Sequence, residues 1–403
     1  MLGSARQTCR AADWPQFLGP NRNGISQETG LLIEWTDESV AEVWRAEGGE
    51  GMSGLAIRDG TLVTMMQNDG RQRIVAYNAK TGERLWQNAI APYYKNTMGH
   101  GPRATPTIVG DRVFVFTGEG ILAAVDFATG KTVWKLDVFA DASGKPAEYG
   151  TACSPLVIGE LVVVTVGSPN KTIVAYDITT GKKKWGTGSD PAGYSSPSLL
   201  NVGGQEQLVT LTGDSVLGLH PQTGASLWRY PFVTAYRCNT ATPLAVDGKV
   251  FISAGENHGS VLLSLHAEDG VFDISEAWQS QGTRSVMRNE WQTSILLDGY
   301  LYGFDNVGSA GQVTHLACID ASTGKRVWQV PRFGKGNMIS ADGKLFMSTM
   351  KGEVVIARAS PEGYQELGRK VVIETTRQAP ALANGLLYLR DGKEIVCLDV
   401  RKK

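Results

Sequence analysis

Short apolar runs separated by turns of Gly, Asp and Thr fill the chain. One phrase recurs through them: an apolar strand, an Asp or its stand-in, Thr-Gly, and a Trp about four residues on. Copies run through Asn78, Thr81, Gly82 and Trp86; through Asp126, Thr129, Gly130 and Trp134; and through Asp177, Thr180, Gly181 and Trp185. Further copies hold His220, Thr223, Gly224 and Trp228, then Asp320, Thr323, Gly324 and Trp328, with an altered one at His266, Asp269, Gly270 and Trp278. Each reads as a β-hairpin. The Asp accepts hydrogen bonds from the turn backbone, Gly supplies the positive φ, and the strand resumes toward Trp. Upstream, Thr105-Pro106, Ser154-Pro155, Ser196-Pro197 and Thr242-Pro243 open a further short strand where proline need not donate a ladder bond. Gly110-Asp111 or Asp247-Gly248 then turns that strand back. The result is four strands per unit.

From Trp44 onward the tryptophans step by 42 to 51 residues, the period of four-stranded propeller blades. A Trp repeated once per unit can bury its face between adjacent sheets and hold them together, a tryptophan-docking motif. Seven hairpins can be counted, the seventh degenerate between Val354 and Tyr364. An eighth unit is split: Ile395 to Asp399 supplies its third strand, and Val40 to Trp44 its fourth. Pairing these two would close a ring and hide both sheet edges. The expected architecture is all-β, an eight-bladed β-propeller of four-stranded antiparallel sheets over residues 40–403, with residues 1–39 as an N-terminal extension packed on it.

Composition narrows the function classes. A content of 48 Gly with only 16 Pro among 403 residues marks a turn-rich folded chain. Lys and Arg number 39 against 40 Asp and Glu, so no long-range field favours a polyanion and nucleic-acid binding is not expected. No apolar run approaches the roughly 20 residues that cross a bilayer, so no membrane span is expected. Met1 to Ala12 carries Arg6 and Arg10 without the apolar core of a secretory signal; Ala11-Ala12 before Asp13 reads as the remnant of a trimmed one, which points to a periplasmic or otherwise exported protein. Cys9, Cys153, Cys238, Cys318 and Cys397 form no CxxC or adjacent pair, so neither a disulfide framework nor a metal site is expected. The five His occur singly, and His220 and His266 stand where other copies carry Asp. A monomer is expected.

At the repeat residues the sequence resembles the pyrroloquinoline-quinone (PQQ) type repeat propellers, the superfamily of quinoprotein alcohol dehydrogenases and of the outer-membrane assembly lipoprotein, over roughly Asp13 to Lys403. A closer likeness is to bacterial PQQ-binding-like β-propeller repeat proteins. It rests on Trp14-Pro15-Gln16-Phe17-Leu18-Gly19-Pro20 through Gly24, on Asn289-Glu290-Trp291 ahead of Asp298-Gly299, and on Gly334-Lys335-Gly336-Asn337 ahead of Asp342-Gly343. What the resemblance implies is the fold; the blade motif travels with unrelated functions. If the dehydrogenase activity travels too, it implies PQQ with Ca²⁺ above the channel. Many such enzymes carry an adjacent Cys-Cys pair at the cofactor, and this chain has none.

In propellers the loops that enter the innermost strands line the mouth of the central channel. Here they carry His100, Arg103, Tyr149, Cys153, Tyr194, Arg237, Asn239, Arg288, Glu290, Trp291, Lys335, Asn337, Arg377 and Gln378. Arg103, Arg237, Arg288, Lys335 and Arg377 face only Glu290 among the acids of that set, so a locally basic mouth is expected. Beside Trp291, Tyr149 and Tyr194 it would suit a small anionic or planar ligand, held by bidentate hydrogen bonds and ring stacking, or a protein segment. The competing reading of the same cations is a scatter of solvated rim residues. Asp305 and Glu290 are the carboxylates placed to hold Ca²⁺ or act as a base, and Cys153 with His100 is a conceivable dyad. Three functions follow in order: a binding propeller without catalytic machinery, a quinoprotein-type alcohol dehydrogenase, and an envelope assembly scaffold that takes an extended segment.

Overall fold

The computed structural model describes residues 12–36, 39–167, 169, 171–268, 271–282, 285–307 and 313–402. Arg6, Cys9, Arg10, Ala11 and the Asp269-Gly270 turn lie outside the described residues. Eight four-stranded antiparallel sheets succeed one another along the chain. Blade 1 runs from Ala56–Arg58 to Arg84–Pro92, and blades 2 to 7 open with Thr107–Val109, Leu156–Ile158, Ser198–Val202, Leu244–Val246, Ile295–Leu297 and Gly336–Ala341. Blade 8 is built from both ends of the chain: Ala381–Ala383, Leu386–Arg390 and Glu394–Asp399 are completed by Ala41–Glu47, with Trp44 opposite Cys397. The ring therefore closes between the two segments that the split repeat designates.

The hairpin chemistry is local and repeats. Asp126 Oδ1 accepts from Thr129 N at 2.8 Å, Asp177 Oδ1 from Thr180 N at 2.8 Å and Asp320 Oδ1 from Thr323 N at 2.8 Å, while Asn78 Oδ1 does the same for Thr81 N at 3.2 Å. Lys184 first, and then the Thr180 and Thr179 donors of its own turn, hold the Asp177 carboxyl down at about 2. The tryptophans then dock one blade on the next. Trp44 Nε1 donates to Ala79 O at 2.9 Å, Trp86 to Phe127 O at 3.0 Å, Trp134 to Ile178 O at 2.9 Å and Trp278 to Ala321 O at 2.9 Å. Gly82, at φ +72°, lies under the Trp44 ring, and a Cβ there would come within 2.7 Å of it. Glycine thus answers two demands at once, the left-handed turn and the indole seat. Trp228 departs from the series: it bonds Gln207 of its own blade at 2.5 Å instead of the next hairpin.

The Ser/Thr before each proline has a role that its spacing alone does not disclose. Thr105 N donates to Ser154 Oγ at 2.9 Å, Ser154 N to Ser196 Oγ at 2.9 Å, and Thr242 N to Thr293 Oγ1 at 3.0 Å. These hydroxyls stitch innermost strands of neighbouring blades where proline has removed one backbone donor.

The segment after Ala12 crosses the channel. Trp14 bridges Ile57 of blade 1, Pro15 O accepts from Ile108 N of blade 2 at 2.8 Å, and Arg22 donates to Ser154 O and Pro155 O of blade 3, each at 3.0 Å. It then pairs Gly24 and Ser26 with Ser340 of blade 7, and the Glu28 carboxylate accepts from Asn384 N and Gly385 N of blade 8 at 2.7 and 2.6 Å. Burial pushes the Arg22 guanidinium down to about 10, which still leaves it charged at neutral pH. A charge so deeply buried persists because the carbonyls of Ser154 and Pro155 and, at 3.1 Å, Gln16 Oε1 converge on it.

Candidate functional site

Above that segment the loop face holds a cavity of about 420 Å³. Trp14, Phe17 and Leu18 form its floor, and every blade contributes wall, from Met52 of blade 1 round to Arg377 of blade 8. Such a volume lies within the range of about 300–1,000 Å³ that small-ligand sites occupy.

Of the residues singled out in the sequence, Arg103, Tyr149, Tyr194, Glu290, Trp291, Asn337, Arg377 and Gln378 line this cavity. Arg103 is nearly buried, donates to Gly101 O at 2.6 Å and Gly99 O at 2.7 Å, and lies 5.0 Å over the Tyr94 ring. Arg377 donates Nη1 to Met98 O at 2.7 Å and sits 4.7 Å over Trp291. Burial lowers the pKa of both guanidiniums. Lys335 stands 4.1 Å over the same indole and pairs with Glu290 at 2.6 Å; Glu290 also accepts from Asn306 Nδ2. Tyr149 and Tyr194 stack at 5.9 Å. Asn337 Nδ2 donates to Arg377 O at 2.9 Å, and Gln378 Oε1 accepts from Thr376 Oγ1 at 2.6 Å, so these amides brace the mouth of blades 7 and 8.

The remaining candidates lie elsewhere. His100 is exposed at the rim, accepting from Asn96 N at 3.2 Å. Arg237 reaches outward to Asp214 at 2.9 Å. Asn239 is buried, its side-chain Nδ2 on Thr212 O at 2.7 Å and its main-chain carbonyl accepting from Tyr194 N at 2.9 Å, so it supports the tyrosine wall from behind. Arg288 is buried in a bidentate pair with Asp305, at 2.6 and 2.8 Å, and Arg326 approaches the same carboxylate at 3.5 Å. Asp305 is fully buried on the second strand of blade 6, away from the cavity wall, so it has no access to a bound alcohol. Cys153 is buried, with its thiol pKa raised by desolvation; neither it nor His100 lines the cavity.

Several lining residues went unseen in the sequence, Met52, Met98, Tyr236 and Glu256 among them, whereas Cys238 stands next to Asn239 near the mouth. Glu256 sits in the connection after Lys249–Ala254, outside the loops that enter innermost strands. Its Oε2 is buried without a hydrogen-bond partner. Burial first and the Glu290 charge second raise its pKa above the ordinary 4.5, against the pull of Lys335. The folded protein therefore holds this proton more tightly than the unfolded chain does: the resulting stability is full below the unfolded value and is lost as pH rises through the folded one. Glu256→Gln is accordingly expected to raise the melting temperature at neutral pH and to leave it unchanged below about pH 4. A lower melting temperature at neutral pH would mean that the carboxylate has a structural partner. Cys238, beside it, is pushed up to about 11 by burial and then by Glu256 and Glu290, so it stays a thiol at neutral pH.

The donor set can be tested against PQQ with Ca²⁺. Calcium takes about 6–8 oxygen ligands. The cavity offers two carboxylates, one already holding Lys335, and among the described residues no cluster of three acid, His or Cys ligands exists. A tricarboxylate quinone would bring three negative charges into a cavity that already holds Glu256 and Glu290 against Arg103 and Arg377. The residues present do not fit that pair.

The family model described as "Outer membrane protein assembly factor BamB" matches residues 21–141 and 70–330. Outer membrane protein assembly factor BamB of Yersinia pestis is 20% identical over 315 residues, 77% of this chain and 76% of that protein. Quinohemoprotein alcohol dehydrogenase ADH IIB of Pseudomonas putida is 28% identical over 181 residues, 42% of this chain and only 24% of that protein. Among solved structures, quinohemoprotein alcohol dehydrogenase of Comamonas testosteroni superposes with a TM-score of 0.69 at 15% identity, over 99% of this chain and 81% of that one. BamB of Moraxella catarrhalis gives 0.62 at 15% identity, over 90% and 98%. At such identities the structural likenesses carry the fold alone. With split-blade closure, tryptophan docking and a matched span covering most of the ring, the chain belongs to the BamB-like family of PQQ-repeat propellers.

Proposed function

We propose that this chain is a binding propeller of the cell envelope, which receives a small ligand or the end of a protein segment in the channel cavity and has no catalytic machinery of its own. The observation that carries the reading is the cavity itself: about 420 Å³, floored by the chain's own Trp14, Phe17 and Leu18 and walled by all eight blades. A channel floored by its own chain is a cup, where an occupant sheds water and stacking and ion pairing gain strength. The assembly-factor relatives support a protein partner, and the outer membrane in their name supports an envelope location. The dehydrogenase relatives support oxidoreductase chemistry less, because the residues present do not fit the quinone and calcium.

The anionic aromatic dye 8-anilinonaphthalene-1-sulfonate tests the cup, since its sulfonate and rings match Arg377 and Trp291. One dye per chain is expected, with binding weakened about tenfold or more by Trp291→Ala and by Arg377→Ala while the melting temperature stays near that of the parent. Several dyes per chain, or unchanged affinity in both variants, would remove the reading.

A further inference from the structure

The cavity gathers like charges at two poles. Arg103 of blade 2 and Arg377 of blade 8 flank blade 1 and repel one another across it. Glu256 of blade 5 and Glu290 of blade 6 form the other pole and likewise repel. In a ring of eight, Arg103 and Glu256 come from blades three apart, on opposite sides of the axis. Within the cavity Lys335 answers Glu290, and Arg377, over the neighbouring indole with Nη1 on Met98 O, feels the same carboxylate, but Glu256 Oε2 is buried with no hydrogen-bond partner. Converging like charges at a partly desolvated site is unfavourable in the free protein and becomes favourable when a counter-charge arrives. Tyr149 and Tyr194 stack on the wall contributed by blades 3 and 4, and Arg377 lies over the Trp291 indole beside Glu290.

We propose that the cavity takes a zwitterionic ligand of the amino-acid or short-peptide class, its carboxylate on Arg103 and Arg377, its ammonium on Glu256, and an apolar or aromatic side chain against the tyrosine wall. The inference rests on the binding reading above and narrows its occupant. Both ends of the ligand are read: the N–H groups that the two guanidiniums keep beyond their carbonyl bonds suit a carboxylate, and a carboxylate lacking a donor suits an ammonium with three.

Isothermal titration of the full chain with alanyl-phenylalanine, its N-acetyl derivative and its C-terminal amide tests this. The free dipeptide is expected to bind, and each blocked form to bind about tenfold or more weakly, because one buried charge is left unanswered. Glu256→Gln is expected to abolish discrimination against the acetylated form and keep it against the amide; Arg103→Gln is expected to do the reverse. Equal affinity for the three probes, or no heat with any of them at millimolar concentration, overturns the assignment. Dye binding then separates the two levels: if the dye still binds one per chain, only the ligand class falls, and if it does not, the cup falls too.

Discussion

Arg390→Met is expected to destabilise the protein by an amount in the upper part of the roughly 3–5 kcal/mol range seen when a buried charge network is broken. Its guanidinium is buried in blade 8 and donates to Ser53 O at 3.1 Å, Met65 O at 2.7 Å, Gly48 O at 2.8 Å and Gly49 O at 3.2 Å, with Thr64 Oγ1 at 2.9 Å. All five acceptors lie in the stretch leaving blade 8 through Ala41–Glu47 and building blade 1. Losing the donor strands several buried carbonyls at about 1–3 kcal/mol each, not additively. Burial pushes Arg390 down to about 10, so it is charged at neutral pH and its bonds are charge-assisted. Denaturant unfolding measures the loss. Hydrogen exchange should find Ala41–Glu47 and Glu394–Asp399 opening before the other blades, because the closing blade alone is held by strands from opposite chain ends. A loss under about 1 kcal/mol would show that the seam is held by Trp44 and strand pairing without the guanidinium.

Arg288→Met is expected to cost about 3–5 kcal/mol by leaving the Asp305 carboxylate buried with Arg326 at 3.5 Å and the main-chain N–H of residue 288 at 2.9 Å in place of the bidentate guanidinium. The double variant Arg288→Met, Asp305→Leu should recover most of that loss, since removing both charges also removes their desolvation. Arg237→Ala, by contrast, should stay within about 0.5 kcal/mol, because its pair with Asp214 is solvent-exposed. Thermal and denaturant unfolding of the three variants decide the matter. Equal losses for Arg288→Met and Arg237→Ala would contradict the different placement of two arginines that look alike in the chain.

Those two arginines mark the boundary of what residue order conveys. The blade count, the closing partnership of Trp44 with Cys397 and the Asp-to-Thr turns follow from local repetition, since each hairpin is specified by residues a few positions apart and its demand for Gly recurs once per unit. The cavity is a different kind of object. Arg288 precedes Glu290 and Trp291 by two or three positions, yet its charge is absorbed by Asp305 on the neighbouring strand, and no periodicity announces that pairing. Glu256 enters the cup from a loop whose counterparts in other blades supply none of its charged lining. The likeness carried by Trp14 to Pro20 was readable, but its place as floor depends on Ile57, Ile108, Ser154 and Ser340 converging from four blades. Local repetition therefore dictated the ring. The sign and shape of its mouth were settled only by closure, which brings side chains distant in the chain within a few ångströms and decides which charges are spent on one another and which are left to face an occupant.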